Sequence, residues 1–239
     1  MSIETRILEY VVDDIVFEGM LAWDSRSDAG RPGVLVSHAW GGRGDFEDGK
    51  ALKLAELGYV GFAIDVYGKG KRGQSPDENA ALMQPLLDDR AMLQRRLLAA
   101  IQALKQQPEV DSEKVAAIGF CFGGLCVLDI ARSGADIAGV VSFHGLFSAP
   151  QTRAADSIAA KILVLHGWDD PMATPEQAVS LAEELTSLGA DWQLHGYGNT
   201  MHAFTNPLAN APASGTVYSS SADMRSWNAM TYFLSEIFS

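Results

Sequence analysis

The stretch Val115-Ala116-Ala117-Ile118-Gly119-Phe120-Cys121-Phe122-Gly123-Gly124 decides how the chain is read. A short apolar run predicts a buried strand, and it leads directly into a reactive side chain framed by glycines. Glycines two residues before and two after Cys121 suit a sharp strand-to-helix turn, where neighbouring backbone passes too close for side chains. Such a turn presents one nucleophile at its apex, usually serine; here it is cysteine. The competing reading, a small buried hydrophobe, is the common fate of a free cysteine. The glycine frame argues against it for Cys121. Cys126, in Leu125-Cys126-Val127-Leu128, lacks that frame and reads as core.

Outward from this turn, short apolar runs alternate with helical stretches, which predicts an α/β domain with a mostly parallel sheet. The strands are expected at Val34–Val36, Val60–Ile64, Val115–Ile118, Ile137–Phe143, Ile162–Leu165 and Trp192–Tyr197. Ahead of them, Arg6–Val12 and Ile15–Ala22 read as a hairpin turning at Asp13-Asp14. Asp45 is expected to cap a helix through Leu57. Further helices are expected over Asp88–Gln106 and Ala222–Phe238. Thr174-Pro175-Glu176-Gln177 carries an N-cap, a first-turn proline and a capping-box glutamine. Gly68–Glu78 reads as the longest loop, following a strand end and able to border a site or form part of a lid. With no repeat and no low-complexity linker, residues 1–239 read as one domain.

Composition bounds the function. A chain of 239 residues with net charge -12 and pI near 4.7 repels nucleic acid and anionic membrane surfaces. No basic segment followed by an apolar one opens the chain, and no apolar stretch reaches the ~18 residues of a membrane span. The two cysteines lie five residues apart on one expected helix and point to different faces, so no bridge is expected. A reducing cytoplasm is the expected setting.

A cysteine nucleophile needs a base, and the base an orienting group. Strand ends supply them in the order nucleophile, acid, histidine. The acid comes from Leu165-His166-Gly167-Trp168-Asp169-Asp170-Pro171, where Asp169 and Asp170 compete. Of five histidines, His202 in the glycine-bearing loop after the last strand has the right order and loop type. His195 lies inside a strand pattern, and His166 reads as packing beside the acid loop. The Phe122 N–H and one from the loop at Trp40-Gly41-Gly42, assigned to Trp40, are candidates for an oxyanion hole. The helix from Phe122 onward turns its positive end toward Cys121 and favours the thiolate. No paired histidine spacing points to a metal.

These segments resemble the dienelactone hydrolase family of the α/β-hydrolase superfamily, on Ile118–Gly124, Leu165–Pro171 and His202-Ala203-Phe204-Thr205-Asn206-Pro207, with Asp65-Val66-Tyr67-Gly68 and Ser142-Phe143-His144-Gly145 in support. The resemblance spans most of the chain. It implies an α/β-hydrolase fold with a mostly parallel central sheet, helices on both faces and the N-terminal antiparallel hairpin. It further implies a Cys121-Asp170-His202 triad, with Asp170 favoured over Asp169 because the family's acid precedes the proline, and no metal or organic cofactor. Two positions depart from the family's namesake. Ala39 stands where that enzyme has a glutamate against its resting cysteine. Asn206 stands where it has an arginine that holds a substrate carboxylate.

The expected activity is hydrolysis of a small carboxylic ester or lactone. A thiolate leaves more readily than an amine, so esters are favoured over amides. Tyr67, His144, Trp168 and Phe204 are candidates to line a small apolar pocket, with Trp40, Phe120 and Phe122 nearby. The alternatives are an acyltransferase or thioesterase on the same three residues, or a non-catalytic binding or redox-sensing protein.

Overall fold

A computed structural model describes residues 2–26, 30–151 and 155–239. The chain forms two compact units, Met1–Ile118 and Gly119–Ser239.

In the first unit, β1 (Ile3–Val12) and β2 (Ile15–Asp24) form the expected antiparallel hairpin, with Val12 opposite Ile15. Asp13 and Asp14 have φ of 50° and 61°. Two left-handed residues in succession are what a two-residue hairpin turn needs to match the strand twist, and aspartate tolerates them. Next come β3 (Arg31–Ser37), α1 (Asp45–Glu56) and β4 (Val60–Ile64). β4 pairs in parallel with β3 and antiparallel with β2. Every residue of β4 is buried, as expected of a strand covered on both faces. The coverage follows from its neighbours. Val34 and Gly61 are cross-strand partners on one face, and a Cβ on Gly61 would sit 2.3 Å from the Ala51 carbonyl oxygen of α1. Gly33, one residue earlier and on the other face, lies against Leu104 of α3 (Arg90–Lys105).

Three of the boundaries that differ from expectation are set by helix caps. The cap of α1 is Gly44, not Asp45, and the Glu47 side chain reaches back to accept from the Gly44 N–H at 2.9 Å. The loop read through Glu78 stops at Ser75, whose hydroxyl accepts from the Glu78 N–H at 3.3 Å and starts α2 (Pro76–Asp88). The next helix, α3, starts two residues later than expected, because Asp89 is its cap and accepts from the Met92 N–H at 2.8 Å.

Strand β5 (Val110–Phe120) carries the chain into the second unit. There α4 (Phe122–Arg132) is buried on every side. Strands β6 (Gly139–Phe143), β7 (Lys161–Gly167) and β8 (Trp192–Tyr197) lie side by side in parallel register. Ser142 of β6 faces α4, at Gly124. Gly139, three residues earlier and on the opposite face, meets Ile237 of α6 (Ser220–Ile237). Helix α5 (Pro175–Ser187) begins as predicted, with the Gln177 side chain accepting from the Thr174 N–H at 2.9 Å. A small hairpin, β9 (Asn210–Ala211) and β10 (Thr216–Val217), was not expected from the sequence. Among the described residues, no helix is long and apolar enough to cross a membrane.

Candidate active site

Cys121 occupies the junction of β5 and α4 at φ 57°, ψ -115°, a conformation that costs a non-glycine residue about 1–3 kcal/mol. Backbone bonds hold it there. Its N–H points at the Phe143 carbonyl at 3.0 Å, and its own carbonyl accepts from the Gly124 N–H at 2.9 Å. The glycine frame is steric, as the sequence implied: a Cβ on Gly119 would lie 2.0 Å from the Gly123 oxygen. A Cβ on Gly124 would lie 2.6 Å from the Gly145 Cα. Neither cysteine is in a disulfide; Cys121 is partly exposed and Cys126 is fully buried.

Asp170 and His202 are brought together, and Asp169 is left exposed. The His202 Nδ1–H donates to Asp170 Oδ2 at 2.7 Å, with both side chains buried. Asp170 Oδ1 is occupied separately, accepting from the Met172 N–H at 2.8 Å and the Ala173 N–H at 3.3 Å. The other His202 nitrogen, Nε2, is buried. Burial pulls the His202 pKa down, but the charge at Cys121 and the bond to Asp170 outweigh it and raise the pKa to about 10. The ordinary imidazole value is 6.5, so the folded state holds an extra proton between that pH and about 10. Stability from this group is therefore complete below about pH 6.5 and lost as pH rises through about 10. The melting temperature is expected to fall across that window, and less steeply in Cys121→Ala, which removes the nearby charge.

The β9–β10 hairpin secures the His202 backbone. His202 N–H donates to the Gly215 carbonyl at 2.9 Å, and the Val217 N–H donates to the His202 carbonyl at 3.0 Å. Gly215 has φ 75°, and a Cβ there would lie 2.1 Å from Cγ of Pro171, next to the acid. Gly215→Ala combines left-handed strain of about 1–2 kcal/mol with overpacking of about 1–3 kcal/mol. A loss of roughly 2–5 kcal/mol in urea denaturation is expected, together with reduced turnover.

The remaining candidates divide between core and surface. Phe122 and Phe204 are fully buried, and Phe120 stacks on Phe143 with centroids 4.7 Å apart, so these rings are core. Trp168 is 42% exposed. His144 is buried: its Nδ1 accepts from the Cys121 N–H at 3.2 Å and its Nε2 lies 2.8 Å from the Thr205 hydroxyl. His166 is fully buried, with both ring nitrogens unpartnered, and packs on Phe147 with centroids 5.2 Å apart. Burial holds its pKa below the ordinary value. Asn206 spends its side-chain oxygen on its own turn, accepting from the Leu208 N–H at 3.0 Å. A concavity of about 440 Å³ in this unit is bordered by Arg132, Phe147 and Glu184 and includes none of Cys121, Asp170 and His202.

In the first unit, the Tyr67 hydroxyl donates to the Trp40 carbonyl at 2.8 Å. His38 accepts from the Val66 N–H on Nε2 and sits 2.6 Å from the Ala39 carbonyl on Nδ1; burial lowers its pKa to about 4, which leaves it a neutral strut. Glu47 was not singled out from the sequence. Its Oε1 accepts from the Ala39 N–H at 3.3 Å while Oε2 caps α1, so one buried carboxylate fixes the loop before Trp40. The glutamate three residues after a helix cap was the available signal.

Residues 17–238 match the family model described as the dienelactone hydrolase family. A solved structure of a dienelactone hydrolase-like promiscuous phosphotriesterase from metagenomic libraries is 37% identical, covers 100% of both chains and superposes with a TM-score of 0.95. A probable 2-oxo-3-(5-oxofuran-2-ylidene)propanoate lactonase of Bradyrhizobium is 30% identical over 250 residues, 98% of this chain and 96% of that protein. A putative carboxymethylenebutenolidase of Aquifex aeolicus is 28% identical over 180 residues, 73% of this chain and 77% of that protein.

Proposed function

Because the chain belongs to the dienelactone hydrolase family, a group of ester and lactone hydrolases with the α/β-hydrolase fold, we propose that it works through Cys121 as nucleophile, His202 as base and Asp170 as orienting acid. The observation that carries this reading is the buried 2.7 Å bond between Asp170 and His202, with the charge at Cys121 acting on the same imidazole.

The Cys121 sulfur adds to the substrate carbonyl, and the developing oxyanion takes the Phe122 N–H at the start of α4. The second donor is assigned on chain position alone to the Trp40 N–H. His202 gives its proton to the leaving alkoxide as the tetrahedral adduct collapses to a thioester. It then takes a proton from water, the resulting hydroxide adds to the thioester carbonyl, and the thiolate leaves with the acid as product. Asp170 holds the imidazole in the tautomer with Nδ1 protonated throughout.

Small uncharged esters and lactones are the favoured substrates. Asn206 carries no charge and uses its amide oxygen within its own turn, and Ala39 carries no carboxylate. The exposed Trp168 offers an apolar rim beside Asp170. A second activity is favoured by the full-length likeness to the promiscuous phosphotriesterase: attack of the same sulfur at the phosphorus of a phosphate triester, expelling one alkoxide or phenolate, with water then cleaving the S–P bond to release the phosphate diester and the thiolate. The family match runs across the boundary between the two units, and β5 passes through it, which supports one catalytic domain. Two cysteines outside any disulfide suit a reducing cytoplasm.

Iodoacetamide tests the assignment. Cys121 is expected to be alkylated with loss of 4-nitrophenyl acetate turnover, while fully buried Cys126 stays unlabelled in the folded protein. In a screen of ester pairs with and without a carboxylate, the uncharged members are expected to be turned over faster. Turnover that survives complete labelling of Cys121, or a strong preference for the carboxylate series, contradicts the reading.

A further inference from the structure

The His144 side chain bonds to both the nucleophile's backbone and the loop carrying the base. It stands at φ 37°, an uncommon conformation for a non-glycine residue, at the end of β6. Its backbone N–H donates to the Leu165 carbonyl at 2.8 Å. Its ring is buried, with Nδ1 3.2 Å from the Cys121 nitrogen and Nε2 2.8 Å from the Thr205 hydroxyl. Thr205 is itself buried and lies three residues beyond His202. The His144 and His202 rings meet edge to face with centroids 5.1 Å apart, and Phe204 closes on His144 at the same centroid distance.

These contacts fix the chemistry of the ring. A backbone N–H can only donate, so His144 Nδ1 is an unprotonated acceptor, and the proton sits on Nε2 and is donated to Thr205. The ring is therefore a neutral two-ended link. We infer that His144 is a positioning residue: it holds the Cys121 backbone in its strained turn at one end and ties the His202 loop to it at the other, setting the distance between sulfur and imidazole. The inference rests on Cys121 and His202 acting as proposed. It does not require His144 to touch substrate.

Two features separate this role from packing. The Cys121 N–H already reaches the Phe143 carbonyl, so the His144 acceptor adds direction to a group that is not otherwise orphaned. The link also joins positions 61 residues apart, His144 and Thr205, whose relative placement decides where His202 lies. A displacement of about 1 Å between reacting groups costs about 100-fold in rate, so a small loosening is read mainly in kcat.

The test uses His144→Phe, which keeps a flat ring but removes both bonds, and His144→Asn, which keeps an acceptor at the Nδ1 position and suits a left-handed backbone. Cys121→Ala is assayed in parallel, with melting temperatures for all variants. His144→Phe is expected to lose about 10- to 100-fold in kcat with KM within about threefold, and His144→Asn to recover to within about threefold of wild type at a similar melting temperature. Full kcat in His144→Phe overturns the inference. So does a loss that follows the melting temperature alone with no recovery in His144→Asn. If Cys121→Ala keeps its turnover, the nucleophile assignment fails and this inference falls with it. If Cys121→Ala is inactive while His144→Phe is unimpaired, the positioning role alone is wrong.

Discussion

Cys121→Ala is expected to abolish ester hydrolysis, lowering kcat by about 10⁴-fold or more while the protein remains folded. The size follows from the chemistry. Without sulfur no thioester forms, and His202 has no nucleophile to serve. What survives is the rate available from binding and the oxyanion donors alone, because members of a triad act as a unit. Folding should be preserved because the Cys121 side chain makes no cap bond to α4, and alanine removes only one sulfur from a partly exposed site. Residual turnover of 4-nitrophenyl acetate, checked against a melting curve of the same sample, decides the matter. Activity within tenfold of wild type would move the nucleophile elsewhere.

Asp170→Asn is expected to lower kcat by about 10⁴-fold with little change in melting temperature. An amide has one oxygen where the carboxylate has two. The Met172 and Ala173 N–H groups both donate to Oδ1, so the amide oxygen is held on that side. The amide nitrogen then faces His202 Nδ1 and can only donate. His202 must become an acceptor at Nδ1 and carry its proton on Nε2, which leaves no lone pair there to receive a proton. Flipping the amide would restore the bond to His202 and leave the Met172 and Ala173 N–H groups without this acceptor, at about 1–3 kcal/mol for the buried Ala173 N–H. Asp170→Asn with wild-type kcat, seen in steady-state kinetics over a range of pH, would show that the flipped form wins. The Asp170→Ala variant, which cannot orient the ring at all, provides the lower reference.

Much of the framework was legible because its signals are local. β4 and β8 fall where expected, each bounded by turn residues, Gly58 before one and Gly198 after the other. The α5 cap was read from four consecutive residues. Helix α2 was missed because its start, Ser75-Pro76-Asp77-Glu78, is as polar as a loop and Pro85 interrupts the helical pattern; Leu86 is its one buried residue. Strands β9 and β10 are two residues each, too short for any periodicity.

The site divides in the same way. Chain order, and the family resemblance in which the acid precedes a proline, pointed to the pair now seen bonded, and Asp169 is exposed. The His144 link was not legible, since it depends on Thr205, 61 residues away, and nothing in Ser142-Phe143-His144-Gly145 announces it. The pocket aromatics could not be sorted either. Burial separates Phe120, Phe122 and Phe204 from Trp168, and burial depends on which strands are neighbours rather than on residue type.

The main-chain bracket around His202 has a consequence for how such a protein can change. Its bonds run between backbone atoms of His202, Gly215 and Val217, so only Gly215 is constrained in identity. Past Thr205, whose hydroxyl meets His144, the segment in between runs through the almost fully exposed Leu208. Substitutions there can reshape what approaches the reaction centre without disturbing the imidazole. Alignment and selectivity are thereby separable, and a chain built this way can acquire new substrates by altering that stretch alone.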